Sequence, residues 1–365
     1  RLGRGSLFSR LFFEEKNKKT QRRTPRVKAR SGGLNMYSLP VSPRLRLAEL
    51  LSKAESIPWI GSFFFRYTSR KLALMKQSLF FCMVFFSLSY SYGQGQVITD
   101  SLSIDGIFRK FTFQIPPSKE ENKSLVFVLH GSGGNGSQMM ERVPLLLEAS
   151  TQENFIAVFP TGYQNYWNEC RKASPAAANL LDIDEQTFFL EMIAYFEHHY
   201  QVDRTQVMVI GTSGGGHMAY KLAMTLPDTF MAISVIIANL PDASNMDCIP
   251  QGKPMHMLIT NGTLDKINPY EGGEVILNTG SFGKVVATET SLSYWAGLAG
   301  YTQAPSRETL PDTDPKDGKI IEKYSYSGRE KEVTLLKVLG GGHDYPNDID
   351  IHLYSWEFFK EVMKR

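Results

Sequence analysis

Ser213 lies in Gly211-Thr212-Ser213-Gly214-Gly215, a serine among small residues in a G-x-S-x-G pattern. The pattern alone is weak, because a chain with 30 glycines can contain it by chance. Its surroundings give it force. The apolar run 207–210 precedes it directly and a helical pattern follows, so the serine falls on a strand-to-helix turn. Glycines leave room for that turn, which holds the hydroxyl exposed above the sheet. A serine hydroxyl attacks a carbonyl only when a base takes its proton. Of the seven histidines, His343 alone follows the last strand, in the run Leu339-Gly340-Gly341-Gly342-His343. Asp265, in Thr260-Asn261-Gly262-Thr263-Leu264-Asp265, also directly follows a strand and can orient the imidazole through its second nitrogen. A tetrahedral oxyanion needs donors. The N–H groups of Gly214 and Ser132 suit that role, Ser132 standing in His130-Gly131-Ser132-Gly133-Gly134 after the apolar run 125–129. The chemistry is a two-step acyl transfer that requires no metal and no organic cofactor. Competing readings are a phosphate-binding turn for the glycines, although a Walker-type lysine is missing, and a turn or cap role for Asp265.

Several strand ends must bring these residues together. Strand patterns occur at 95–116, 125–129, 155–159, 207–210, 231–237, 255–260, 319–326 and 333–339. Helical spacing occurs at 184–200, 213–224, 287–299 and 349–364, and 161–183 is irregular and rich in aromatics. Short continuous apolar strands alternating with helices predict an α/β protein. The expected architecture is a single domain with a mostly parallel central sheet and helices on both faces. Ligands of such sheets sit at the carboxyl ends of the strands, where all the candidate loops fall. The order Ser213, Asp265, His343 is that of the α/β-hydrolase fold.

The chain has 365 residues, 42% of them hydrophobic, and a formal net charge of +3. The average hides a split. Residues 1–74 hold 17 of the 40 Lys/Arg but 4 of the 37 Asp/Glu, leaving an excess of ten acidic side chains in the rest. An acidic main body argues against nucleic acid or an anionic membrane surface as partner. Met75-Lys76-Gln77-Ser78 is a short positive start, residues 79–86 are an apolar core, and Ser91 and Gly93 are small. Residues 75–93 therefore read as a secretory signal peptide, cleaved after Gly93. Its apolar run is too short to span a membrane. The expected mature chain, 94–365, is the catalytic domain, secreted or periplasmic and free of the membrane. Residues 1–74 begin with Arg, so Met75 reads as the initiator and 1–74 as a disordered upstream extension outside the native protein. The competing reading is a basic cytoplasmic tail or nucleic-acid arm. Cys82 falls in the signal core. Export leaves Cys170 and Cys248, which either bridge in an oxidising compartment or stand as two separate buried thiols. No His/Cys cluster of metal-ligand spacing occurs in the sequence.

Together these residues resemble the polyhydroxybutyrate-depolymerase-like esterases, the family that also holds bacterial feruloyl and acetyl xylan esterases. The likeness spans roughly residues 105–360. It is carried by Leu129-His130-Gly131, Tyr166-Trp167-Asn168 with Cys170, and Asp182-Ile183-Asp184. It continues through Gly211-Thr212-Ser213-Gly214-Gly215, Gly262-Thr263-Leu264-Asp265 with Asn268-Pro269-Tyr270-Glu271-Gly272-Gly273, and Gly341-Gly342-His343. The Asp-x-x-x-Pro-Tyr-x-Gly-Gly stretch and the Trp-Asn…Cys segment are its specific parts.

The resemblance implies a secreted serine carboxylic-ester hydrolase acting on feruloyl, acetyl or short hydroxyalkanoate esters. It implies a Cys170–Cys248 bridge, because a cysteine beside the Trp-Asn segment is often bridged in that family. It also implies Trp167 as a substrate contact, with core packing as the alternative. Tyr345 stands two residues after His343, where the family often has tryptophan, and becomes a second contact candidate. Family members that degrade solid polyester usually carry a linker and a separate binding domain, whereas this chain runs out at its closing helix. The expected partner is therefore a small or oligomeric ester, such as a plant cell-wall polysaccharide ester. Two other functions share these residues: a serine peptidase of the same fold, and a non-catalytic binding protein on a hydrolase scaffold. Oligomeric state has no signature in the sequence.

Overall fold

The computed structural model describes residues 95–364. The expected signal peptide (75–93) and upstream extension (1–74) lie outside the described residues. The strands are β1 (Gln96–Ile104), β2 (Ile107–Ile115), β3 (Lys123–Leu129), β4 (Phe155–Pro160), β5 (Val202–Thr212) and β6 (Ala232–Ile236). They continue with β7 (His256–Gly262), β8 (Gly273–Leu277), β9 (Gly280–Val285), β10 (Ser306–Thr309), β11 (Ile320–Tyr326) and β12 (Val333–Leu339). The α-helices are α1 (Gly136–Glu141), α2 (Pro144–Gln152), α3 (Ala177–Leu180), α4 (Glu185–Tyr200), α5 (Gly214–Thr225), α6 (Thr288–Leu298) and α7 (Ile351–Met363).

Strand β3 shows how the sequence builds the sheet. All seven of its residues are buried. Successive side chains of a strand point to opposite faces. Leu125, Phe127 and Leu129 therefore enter one core, and Val126 and Val128 enter another on the far side. A strand apolar on both faces needs cover on both, which a parallel α/β sheet provides. Phe188, Phe196, Tyr220 and Trp295 bring α4, α5 and α6 onto the first face. Met139, Leu146, Trp356 and Phe359 bring α1, α2 and α7 onto the second. Burying each such aromatic contributes about 1.5–3 kcal/mol. Edge-to-face packing adds direction: Phe113 of β2 meets Phe196 of α4 at 4.9 Å and 86°.

Ten strands form one sheet in the order β1-β2-β4-β3-β5-β6-β7-β12-β11-β10. Strands β3, β4, β5, β6, β7 and β12 run parallel. The β1–β2 and β11–β10 edges are antiparallel. All described residues belong to one compact unit. This is the α/β-hydrolase architecture, with β5 in the middle. Strand β5 is longer than its apolar run, because Val202 already pairs with Lys123 before a register break at Leu125. Helix α4 starts where expected: the Asp184 carboxylate accepts the Thr187 N–H and caps it.

Two regions give no periodic signal in the sequence. The β8–β9 hairpin is a separate two-stranded sheet, polar and glycine-rich. Helices α1 and α2 are short and follow directly on the His130 loop. The hairpin and α1 line the site described next. Among the described residues, no helix is long and apolar enough to cross a membrane.

Candidate active site

Strand β5 ends at Thr212, and the chain turns at once into α5. Ser213 takes the turn at φ 53°, ψ −114°, a conformation a side chain rarely adopts. Its N–H donates to the Ile236 carbonyl at 2.8 Å, which ties the turn to β6. Gly215 cannot be larger: a Cβ there would lie 2.5 Å from the Leu129 carbonyl oxygen. The turn leaves Ser213 Oγ 2.9 Å from His343 Nε2. His343 Nδ1 lies 2.7 Å from Asp265 Oδ2. With the Nδ1 proton donated to that carboxylate, Nε2 is the free acceptor for the serine hydroxyl. The other Asp265 oxygen accepts the N–H groups of Ile267 and Asn268, both at 2.8 Å. Charge-assisted bonds of this kind fix a buried carboxylate, and the Asp265 side chain is 1% exposed.

The loops carrying Asp265 and His343 are laced together. Leu264 N–H donates to the Gly341 carbonyl at 2.7 Å, Thr263 N–H to the Val338 carbonyl at 2.9 Å, and Gly340 N–H to Thr263 Oγ1 at 3.0 Å. On the other side of β5, the loop after β3 presses against the start of α5. A Cβ at Gly214 would lie 2.8 Å from the Ser132 backbone nitrogen, so those two amides are neighbours. His130 holds this loop in shape. It is 2% exposed, and burial lowers its pKa to about 4. The neutral ring donates from Nδ1 to the Gly131 carbonyl at 2.7 Å and accepts the Gly162 N–H on Nε2 at 3.0 Å.

These loops open into a cleft of about 850 Å³. One wall is apolar, with Ile237, Ile267 and the Ile276-Leu277 tip of the β8–β9 hairpin. The lining also includes Gln138 and Arg142, from α1 and its end. Ser213 and His343 line the same cleft.

A family described as "Putative esterase" matches residues 106–246. The chain is 26% identical over 243 residues to "Putative esterase NocK" of Nocardia uniformis subsp. tsuyamanensis, covering 63% of this chain and 67% of that one. It is 27% identical over 260 residues to "Probable feruloyl esterase C" of Aspergillus niger, covering 69% and 83%. Among solved structures, the acetyl xylan esterase from Aspergillus awamori matches with TM-score 0.49 and 18% identity, over 72% of this chain and 99% of that one. This chain has the α/β-hydrolase fold and is similar to esterases. Its activity class is carboxylic-ester hydrolysis.

Within the esterase, the other expected residues fare differently. Cys170 and Cys248 are joined in a disulfide, with their Cα atoms 5.1 Å apart. Tyr345 lines the cleft, and its hydroxyl donates to Thr212 Oγ1 at 3.3 Å. Trp167 does not reach the cleft, which corrects the expectation of a substrate contact. It is 2% exposed, its indole N–H donates to the His130 carbonyl at 2.9 Å, and its ring lies 4.8 Å from the His130 ring. Its neighbour Tyr166 lines the cleft instead. Tyr166 is extended (φ −132°, ψ 162°), so adjacent side chains point opposite ways and only one of the pair can face the cleft. Arg142, Ile237 and the hairpin tip carry no motif that would mark them in the sequence. Asn268 does stand at a fixed offset in the Asp265 segment, which was a usable signal. Among the described residues, the one grouping of metal-ligating types is Cys170, Asp247 and Cys248, and its two sulfurs are bonded to each other.

Proposed function

We propose that the protein is a secreted serine esterase in which Ser213 is the nucleophile, His343 the general base and Asp265 its orienting acid. The continuous hydrogen-bonded line from Ser213 through His343 to Asp265 carries this reading. His343 Nε2 takes the Ser213 proton as Oγ bonds to the ester carbonyl carbon. The carbonyl π electrons move to oxygen, where the N–H groups of Ser132 and Gly214 stabilise the oxyanion. Collapse of the intermediate expels the alcohol, which leaves with the proton from His343. Water then attacks the acyl-enzyme by the same route and releases the acid.

The acyl group is feruloyl, acetyl or a short hydroxyalkanoate. The name of the Aspergillus niger relative favours a feruloyl ester, and the apolar wall offers a surface for an aromatic acid. Ser213→Ala tests the reading. Hydrolysis of methyl ferulate and an aryl acetate is expected to fall by about 10³-fold or more, and a variant that keeps its rate removes Ser213 from the mechanism. Export rests on the Met75 signal sequence. Sequencing the N-terminus of protein recovered from outside the cytoplasm is expected to begin at residue 94, and a start within 1–74 contradicts it.

A further inference from the structure

The apolar wall of the cleft contains a residue in an unfavourable conformation. Ile237 directly follows β6 and has φ 49°. A β-branched side chain in the left-handed region clashes with its own backbone, so the surroundings must hold it there. Its N–H donates to the Thr260 carbonyl at 2.7 Å. Its carbonyl accepts from Asn268 Nδ2 at 2.9 Å. The next residue, Ala238, donates its N–H to Asn261 Oδ1 at 3.0 Å. Strands β3 and β6 are the two neighbours of β5, so Ile237 flanks Ser213 on the side opposite the Ser132 loop.

Asn268 is where three parts of the site meet. Its backbone N–H donates to Asp265 Oδ1 at 2.8 Å. Its side-chain Nδ2 holds Ile237. Its Oδ1 accepts the Nε2 proton of His217 at 3.0 Å, and His217 lies one helical turn beyond Ser213, donating its own N–H to the Ser213 carbonyl at 3.0 Å. Asn268 and His217 are 3% and 2% exposed. A carboxamide supplies a donor and an acceptor together. An apolar side chain of the same size leaves a buried carbonyl and a buried ring N–H unpaired.

We propose that Asn268 is a positioning residue that locks Ile237 in its left-handed conformation, and that Ile237 so held selects the acyl group beside Ser213. This rests on the reading of Ser213 as nucleophile. The experiment measures kcat and KM for 4-nitrophenyl acetate, butyrate and octanoate with wild type, Ile237→Gly, Asn268→Leu and the double variant. Glycine adopts positive φ without strain, so Ile237→Gly needs no lock and opens the wall. It is expected to change the octanoate-to-acetate ratio of kcat/KM by about tenfold or more, mainly through KM. Asn268→Leu is expected to change the same ratio in wild type but by less than about twofold in the Ile237→Gly background, because the two act as one unit. An unchanged ratio in Ile237→Gly overturns the proposal. So does an Asn268→Leu effect of equal size in both backgrounds, or a change confined to a series that varies the alcohol at fixed acetate. If Asn268→Leu fails to fold, Ile237→Gly and Ile237→Ala decide, since neither removes a hydrogen bond. A wild type that hydrolyses none of these esters is a failure of the nucleophile reading, and it is seen before any variant is compared.

Discussion

Ser213 combines a backbone conformation suited to glycine with a side chain that glycine lacks. Its φ of 53° with ψ −114° costs on the order of 1–3 kcal/mol. That cost holds the hydroxyl against His343 rather than in the helix. A Ser213→Gly variant is therefore expected to be inactive yet more stable than Ser213→Ala by about 1 kcal/mol, read from urea midpoints at matched slope. Equal midpoints would show that the turn is unstrained. At this scale the sequence was informative where a residue's position in the chain decided its neighbours. Ser213, Asp265 and His343 each follow a strand end, and parallel strands bring such ends together. The assignment of Trp167 did not hold, because Tyr166 and Trp167 differ only in which side of an extended segment they occupy. That choice is made by backbone dihedrals and by the His130 carbonyl that takes the indole proton.

Helix α7 packs on the sheet through Trp356, Phe358 and Phe359, but it also buries His352. The imidazole is 3% exposed, its Nε2 has no partner, and burial lowers its pKa to about 4. Above pH 6.5 neither the folded nor the unfolded chain protonates this site. As pH falls from 6.5 towards 4, the unfolded chain binds the proton first and stability declines. His352→Leu removes an unpaired polar atom and the linked proton. The variant is expected to lose less stability than wild type between pH 7.5 and 5, by on the order of 1–2 kcal/mol in denaturant titrations. Parallel slopes would mean that His352 stays accessible to protons in the fold. His130 has the same lowered pKa, so the acid decline should be reduced and not abolished. Elements of this kind were legible when their apolar spacing was regular, as in α4 and β3. The β8–β9 hairpin was not, because its exposed, glycine-rich strands bury few side chains. Its role lies in where its tip reaches, which spacing does not encode.

For the molecule as a whole, two cores on opposite faces of one sheet explain the fold, and the Cys170–Cys248 disulfide adds a covalent constraint. The bridge spans 78 residues of sequence. Closing a loop of that length restricts the unfolded chain and contributes about 2–5 kcal/mol. Replacing both cysteines with serine is expected to lower the unfolding free energy by that amount while leaving kcat with an aryl acetate within about twofold. A variant as stable as the parent would show that the bridge constrains little. The pairing was open in the sequence, since two cysteines alone leave the choice between bridge and buried thiols. The segment between them contains Ser213, whereas Asp265 and His343 lie beyond it. Strands β5 and β6 and the Ser213 turn are thus enclosed in a covalent ring. A single proteolytic nick anywhere within that ring leaves one molecule, intact on a non-reducing gel and separable only by reduction. A nick between Cys248 and Asp265 instead breaks the covalent link from Ser213 to both Asp265 and His343, and one between Asp265 and His343 breaks the link to His343 alone. Exposed loops are thus unequal targets for a protease, and those inside the ring can be cut at the lower cost.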